Sequence, residues 1–216
     1  MRCRVQFAAV ALALGCSAAT ADGLDSLERF VKGVKSGQAE FTQVVSAPAR
    51  AGETAKTRTS SGSFAFSRPD RFRFDYRKPF VQTIVADGTT LWMYDADLNQ
   101  VTARKQADVL GATPAALIAS APDLAVLRND YVLKAEPDRD GLQWVLATPR
   151  AKDGQLQSVR VGLRAGEGAP TLAVLDILDS FGQRSELRFA QVEANPALPT
   201  SLFQFKPPAG ADVIRQ

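Results

Sequence analysis

The segment from Arg71 to Arg77 alternates strictly between charged and aromatic residues along its whole length. Its order is Arg71, Phe72, Arg73, Phe74, Asp75, Tyr76 and Arg77. Because successive side chains of a β-strand point to opposite faces, this pattern places three rings on one face and every charge on the other. We therefore expect the chain to build a sheet with one apolar face and one face toward water.

Ten further segments have the composition of strands, and short polar or Gly- and Pro-containing joints separate them, as in hairpins. They are residues 38–46, 62–67, 80–86, 89–94, 100–104, 130–135, 141–148, 156–163, 172–178 and 185–192. The Pro-rich tail 197–213 carries one more short candidate strand at 202–205. Since each strand pair twists by roughly 20 to 25°, an antiparallel sheet of about eleven strands must curl toward a barrel.

Two helical regions accompany the strands. The first has apolar residues at helical spacing, namely Leu24, Leu27, Phe30, Val31 and Val34. We expect Asp22 or Asp25 to cap this helix and Gly37 to end it. The second, residues 107–125, is rich in Ala and Leu and broken by Gly and Pro, which predicts short helices. Because a barrel of so many strands is too wide for its own side chains to fill, we expect these helices to plug or lid it.

Residues 1–21 have the three parts of a secretory signal peptide. Arg2 and Arg4 form a basic start, residues 5–14 an apolar core, and Ala19-Thr20-Ala21 a small-x-small cleavage site. The apolar core is about half as long as a membrane-spanning helix requires. Cleavage would remove both cysteines, Cys3 and Cys16, and leave residues 22–216 as a single exported domain.

A second interpretation of the leader stays open. Residues 13–16 are Ala-Leu-Gly-Cys, which partly match the cleavage box of a lipoprotein. In that case Cys16 would be acylated and the protein would be anchored to a membrane.

The residue types of most catalytic and metal sites are absent from the sequence. It contains no histidine, and its two cysteines lie in the leader. Residues 95–99 place oxygen ligands at alternate positions, but Gln100 stands where a calcium loop needs Gly, so we predict a hairpin turn. The scattered charges argue against nucleic acid. We expect a binding protein without metal or cofactor and not an enzyme, although hydrolysis by carboxylates alone stays open.

Several short motifs follow one another over the mature region. They are Phe41-Thr42-Gln43, Gly62-x-Phe64-x-x-x-Arg68-Pro69, Asp87-Gly88-Thr89-Thr90-Leu91-Trp92-x-Tyr94, Thr113-Pro114-x-x-Leu117-Ile118, Thr148-Pro149 and Phe203-x-Phe205-x-Pro207-Pro208-x-Gly210. In order and spacing the chain resembles the LolA family of lipoprotein carrier proteins. The resemblance implies a mainly β fold with some helix, an open half-barrel of about eleven antiparallel strands lidded by short helices over an apolar cavity.

The resemblance also implies a function and a set of partners. A member of this family binds the acyl chains of lipoproteins released from the inner membrane by an ABC complex and delivers them to an outer-membrane receptor lipoprotein. We expect such a carrier to be a periplasmic monomer. Two alternatives stay open: a lipid-anchored receptor of related fold, if Cys16 is acylated, and a related periplasmic stress sensor.

Site residues follow from the motifs that match. The resemblance implies that Arg68 latches the lid by bonding its backbone carbonyls, a role that suits the five donors of a guanidinium. It places Phe72 at the mouth of the cavity. We expect the acyl chains to contact Phe64, Phe66, Phe72, Phe74, Tyr76, Leu91 and Met93. Sequence alone leaves open whether Trp92 or Met93 faces inward. Leu110, Leu117 and Ile118 are expected to belong to the lid rather than to a fixed core.

Overall fold

One continuous sheet dominates the computed structural model, which describes residues 22–48, 55–109, 123–152 and 154–216. Its strands are β1 (Ser36–Ser46), β2 (Thr57–Ser67), β3 (Arg71–Lys78), β4 (Gln82–Asp87), β5 (Thr90–Asp95), β6 (Gln100–Lys105), β7 (Tyr131–Arg139), β8 (Leu142–Pro149), β9 (Leu156–Arg164), β10 (Thr171–Asp179), β11 (Arg184–Ala194) and β12 (Asp212–Arg215). The helices of the described residues are α1 (Gly23–Gly33), α2 (Gln106–Val109), α3 (Leu124–Asp130) and a short 3₁₀ helix (Thr200–Phe203). The predicted leader and the lid residues Leu110, Leu117 and Ile118 lie outside the described residues.

The strand order is β12-β6-β5-β4-β3-β2-β1-β11-β10-β9-β8-β7. All neighbours in the described sheet pair antiparallel except β12, which runs parallel to β6. Because β12 and β7 lie at opposite edges and do not pair, the curved sheet is open. The expected open half-barrel of mainly β structure is therefore confirmed.

All eleven predicted strands are present, and two smaller predictions are wrong. Residues 202–205 do not form a strand, because Thr200–Phe203 is a 3₁₀ helix and the additional strand is β12. Gly37 does not end α1, which stops at Gly33. Gly37 belongs to β1 instead, where a Cβ atom would lie 2.4 Å from Cε1 of Phe66. That glycine therefore makes room for a ring.

Helix α1 packs on one face of the sheet, which we name the inner face. Asp22 caps the helix, because its Oδ1 accepts hydrogen bonds from the backbone nitrogens of Leu24 and Asp25 at 2.8 and 3.0 Å. Leu27, Phe30 and Val31 are buried against the strands, and α1 lies closest to β7, β8 and β9. The amphipathic pattern in the sequence thus becomes a cover over one half of the sheet.

The C-terminal segment crosses the opposite face of the sheet, which we name the outer face. Phe203 is 1% exposed there, and its neighbour Phe205 lies 5.6 Å from Trp92 between ring centroids. Nη1 of Arg73 donates a hydrogen bond to the Leu202 carbonyl at 3.3 Å. Trp92 therefore faces outward, and Leu91, which belongs to the main core, faces inward.

Candidate functional site

Aromatic side chains of β2 and β3 form a continuous row on the inner face. Phe64 is paired with Phe74 and Phe66 with Phe72 in the antiparallel register, so each pair shares a face. Ring centroids are 4.4 Å apart for Phe64 and Phe74, and 6.0 Å apart for Phe72 and Phe74. Alternation in the two strands therefore brings together rings that the sequence separates.

The row continues at both sides. Phe41 of β1 lies 5.0 Å from Tyr76, and Phe189 of β11 lies 5.6 Å from Phe64, both between ring centroids. Tyr76 donates a hydrogen bond from its hydroxyl to Oε1 of Gln43 at 2.9 Å, and burial raises the pKa of Tyr76 to about 12. Met93 is paired with Ile84, which packs against the same core, so Met93 also faces inward.

The structure thus brings the seven predicted cavity residues together on one face, where most of them are enclosed. Phe72 is only 2% exposed, whereas the resemblance placed it at a cavity mouth. Its neighbours in the core bury it in this conformation, so a role at an open mouth stays a prediction. Tyr76 and Met93 are half-buried.

Little free volume lies between α1 and the rings of Phe64 and Phe66. The apolar pocket between α1, the first strands and β10–β11 has a volume of about 20 Å³. It is lined by Phe30, Val34, Phe64, Phe66, Leu172 and Phe189, among others. Such a volume holds about one water molecule. Between α1 and the rings of β2 the described side chains therefore fill the space, and an extended ligand that enters there would have to part α1 from the sheet.

Arg68 fastens the end of α1 to the end of β2. Its Nη1 donates hydrogen bonds to the carbonyls of Val31, at 3.3 Å, and of Val34. Its backbone nitrogen donates to the Lys35 carbonyl at 2.8 Å. A cation at the C-terminal end of a helix is also favoured by the helix dipole.

The guanidinium of Arg68 is partly buried between two rings. Its Cζ lies 5.0 Å from the ring centroid of Phe30 and 5.2 Å from that of Phe66, within cation–π distance. Burial lowers the pKa of Arg68 to about 10, so the side chain stays charged at neutral pH. The resemblance predicts that Arg68 bonds carbonyls of a lid, and the carbonyls it contacts here are those of Val31 in the last turn of α1 and of Val34, its C-cap.

Sequence reasoning missed Gln106, a buried polar residue at the start of α2. Its Oε1 accepts a hydrogen bond from the Gly88 nitrogen at 3.0 Å, and its Nε2 donates to the Asp70 carbonyl at 2.6 Å. Gln106 therefore ties the start of the inserted segment to two turns of the sheet. No motif marks a single glutamine, so the sequence offers no signal for this role.

Asp87 fixes the geometry of the turn between β4 and β5. Its Oδ1 accepts hydrogen bonds from the nitrogens of Thr89 and Thr90, both at 2.8 Å, and its Oδ2 accepts one from Nε1 of Trp92 at 2.8 Å. Burial would raise the pKa of Asp87, but the hydrogen bonds from Thr90, Trp92 and Thr89 outweigh it and lower the pKa below its ordinary value. The hydrogen bonds of the Asp87 carboxylate thus give it a structural role in the turn.

The segment that starts at Asp95 forms the predicted hairpin turn between β5 and β6. Oδ1 of Asp95 accepts hydrogen bonds from the nitrogens of Asp97 and Leu98 at 3.0 and 3.1 Å. Within the described residues, no group of three or more metal-ligating side chains comes together. No helix of the described ranges is both long enough and apolar enough to cross a membrane.

The family model and the curated relatives that match the sequence identify one family. The chain matches the family model of the outer membrane lipoprotein carrier protein LolA over residues 32–206. It is 66% identical over 210 residues to the outer-membrane lipoprotein carrier protein of Albidiferax ferrireducens, which covers 97% of this chain and 99% of that protein. Identity to the protein of the same name from Methylibium petroleiphilum is 54% over 215 residues, covering 100% and 99% of the two chains.

A solved structure shows the same fold at low sequence identity. A LolA superfamily protein from Nitrosomonas europaea superimposes with a TM-score of 0.51 and 14% identity, over 86% of this chain and 99% of that chain. The fold is therefore shared between two chains of low sequence identity.

Proposed function

This chain belongs to the LolA family of outer-membrane lipoprotein carrier proteins, and from that premise we propose that it carries lipoproteins across the periplasm by sheltering their acyl chains on its inner face. The observation that carries the proposal is the continuous apolar surface of that face under α1. An acyl chain has no polar group along its length, and each buried methylene contributes about 0.8 kcal/mol.

The acyl chains are proposed to lie along the aromatic row and its aliphatic continuation. Phe64, Phe66, Phe72, Phe74 and Tyr76 supply rings, and Leu91 and Met93 continue the apolar surface onto β5. The side chains of this surface are mostly apolar, which suits a hydrocarbon cargo. Such a surface can bind acyl chains of several lengths. Leu110, Leu117 and Ile118 stay predicted members of the cover.

Arg68 is proposed to act as the latch of the carrier. Its hydrogen bonds to Val31 and Val34 hold the end of α1 against the sheet when no cargo is present. Entry of acyl chains displaces α1 and breaks these bonds, and release allows them to form again. The free energy of latching therefore opposes loading and favours unloading.

This opposition is necessary for a carrier. Full burial of two or three long acyl chains would contribute tens of kcal/mol, and such a complex would not dissociate. The free energy needed to separate α1 from the aromatic rings offsets much of the free energy gained by burying the acyl chains. We propose that an inner-membrane ABC complex loads the carrier and that an outer-membrane receptor lipoprotein unloads it, while the carrier acts as a monomer and performs no catalysis.

The test compares an acylated lipoprotein with the same polypeptide lacking its acyl chains. The protein purified from the periplasm should form a soluble complex only with the acylated form. Met93→Asp places a charge on the inner face and should weaken this complex, whereas Val132→Asp, at an exposed position on the outer face of β7, serves as the matched control. Equal binding of both polypeptides, or equal effects of both substitutions, would contradict the proposal.

A further inference from the structure

Exposed apolar side chains collect at one end of the sheet. Among the described residues, Phe80, Val81, Leu98 and Phe181 are 59%, 51%, 71% and 73% exposed. They lie on three different turns, which connect β3 to β4, β5 to β6, and β10 to β11. We name this set the apolar rim.

The strand registers place these turns at the same end. Ser46 at the end of β1 is paired with Thr57 of β2 and with Arg184 of β11, and Ser61 of β2 is paired with Lys78 at the end of β3. Gln82, which follows the β3–β4 turn, is paired with Asp95, which precedes the β5–β6 turn. The apolar rim therefore follows one border of the curved sheet.

Turns at the opposite border differ in character. They span residues 68–70, 87–89, 139–141 and 164–170, and in the described chain none of them carries a large exposed apolar side chain. Both borders are built of short connections between antiparallel strands, so loop structure alone does not explain the difference. An exposed apolar set of this kind marks an interaction surface.

The side chains of the apolar rim stand on well-defined turns. Oδ1 of Asp179 accepts hydrogen bonds from the nitrogens of Phe181 and Gln183 at 2.9 and 2.8 Å. Asp95 holds the turn of Leu98 in the same way. The Ala96 nitrogen donates to the Val81 carbonyl at 3.1 Å and joins two of the turns. The rings and aliphatic groups are therefore presented outward at little cost in conformational entropy on binding.

Basic side chains lie next to the apolar rim, at the adjoining strand ends. Lys56, Arg58 and Lys78 are exposed at the same ends of β2 and β3, and within the described ranges none of them has an acidic partner at salt-bridge distance. Asp95 and Asp179 are half-buried, and their carboxylates accept hydrogen bonds from turn amides. Among the described residues of these three turns, Asp97 is therefore the acidic residue that is exposed to solvent.

We propose that the apolar rim docks on the surface of an anionic lipid bilayer. Single apolar side chains on separate turns suit insertion among headgroups, whereas basic residues behind them suit anionic phosphates. The proposal goes beyond carriage of acyl chains, because the apolar rim lies outside the aromatic row. Docking would bring the carrier to a membrane before any handover of cargo.

Vesicle sedimentation tests the proposal on the protein purified from the periplasm. Protein-free vesicles of phosphatidylethanolamine with phosphatidylglycerol should bind it, and vesicles of phosphatidylcholine should bind it far less. The double variant Phe80→Ser with Phe181→Ser should lower the partition coefficient at least about tenfold. Lys56→Glu with Lys78→Glu should lower it by a similar factor.

Matched controls remove the same chemistry elsewhere. Ile214→Ser takes an exposed apolar side chain from β12, and Lys35→Glu with Lys105→Glu reverses two charges at the opposite border. Neither control should change vesicle binding. All substituted side chains are exposed, so melting temperatures should stay near that of the wild type.

Three outcomes would overturn the proposal: no binding to anionic vesicles, equal loss of binding in rim variants and controls, or rim-dependent binding that appears only with protein-containing membranes. The last would assign the apolar rim to a protein partner. Because the rim variants should still bind acylated lipoprotein in solution, failure here is distinguishable from failure of the proposed carrier function.

Discussion

Replacing Arg68 by Leu should weaken the closed state of the carrier. The substitution removes the hydrogen bonds from Nη1 to the carbonyls of Val31 and Val34, while a leucine still fills space between Phe30 and Phe66. Hydrogen bonds from a charged donor contribute about 1.5 to 3 kcal/mol, and we assign that range to the pair because one nitrogen makes both. The equilibrium between closed and open forms should then shift roughly 10- to 150-fold.

Two measurements report on this change in the equilibrium between the closed and open forms. Since the free energy of latching opposes loading, the apparent Kd for a fluorescent acyl probe should fall by at least about tenfold in Arg68→Leu. Transfer of lipoprotein to receptor-bearing outer membranes should slow, because closure no longer favours release. Arg68→Lys keeps the charge, but its ammonium lies one atom short of the Nη1 position, so its probe affinity and transfer rate should lie between those of the wild type and Arg68→Leu. The melting temperature should fall by about 3 to 12 °C with unfolding still cooperative.

The reasoning fails if Arg68→Leu has normal probe affinity and normal transfer at equal loading. Arg68 would then be a structural residue beside Pro69 and not a latch. If Arg68→Leu does not fold, Arg68→Lys decides, because wild-type behaviour with an ammonium one atom short of the Nη1 position would show that the hydrogen bonds of Nη1 are not needed.

Three further predictions concern other parts of the chain. Phe72→Glu should cost several kcal/mol and lower the melting temperature sharply, because the ring is 2% exposed, and an unchanged calorimetric transition would show that the ring is not enclosed. The lowered pKa of Asp87 should contribute stability that is complete above the unfolded-state pKa near 4 and is lost as pH falls toward the folded-state value, so in acid titrations of urea unfolding Asp87→Asn should show a shallower pH dependence. The exported protein should begin at Asp22, and mass spectrometry that finds a diacylglyceryl group on Cys16 would contradict the proposed cleavage.

Strands and faces were predictable because they depend on local alternation. The pattern of Arg71–Arg77 assigns each residue to a face without reference to the rest of the chain, and the structure follows it. Strand β12 was missed because it depends on pairing with β6, a parallel partner far away in sequence. The prediction for Gly37 was wrong for a related reason. A glycine is needed there because the ring of Phe66, on the neighbouring strand, occupies the space of a Cβ atom, and not because a helix ends there.

The sequence predicts which residues lie at the candidate site but not how far each of them is buried. Alternation and the family resemblance select the inner-face residues, but neither gives their exposure. Phe72 is enclosed because Phe66 is paired with it across the sheet and Phe74 lies 6.0 Å from it between ring centroids. Gln106 was not predicted at all, because its partners Gly88 and Asp70 become neighbours only when the sheet has formed.

The position of β1 has a consequence for how the chain folds after export. This strand is the first to leave the membrane, yet in the sheet it lies between β2 and β11. One of its edges therefore stays unpaired until nearly all of the polypeptide has been translocated. Pairing at such long range closes a large loop and is slow, and an exposed apolar edge can meet other chains in the meantime. The rate-limiting event in maturation should therefore be the arrival of β11, so that a truncation before Arg184 leaves a species that aggregates rather than a smaller carrier.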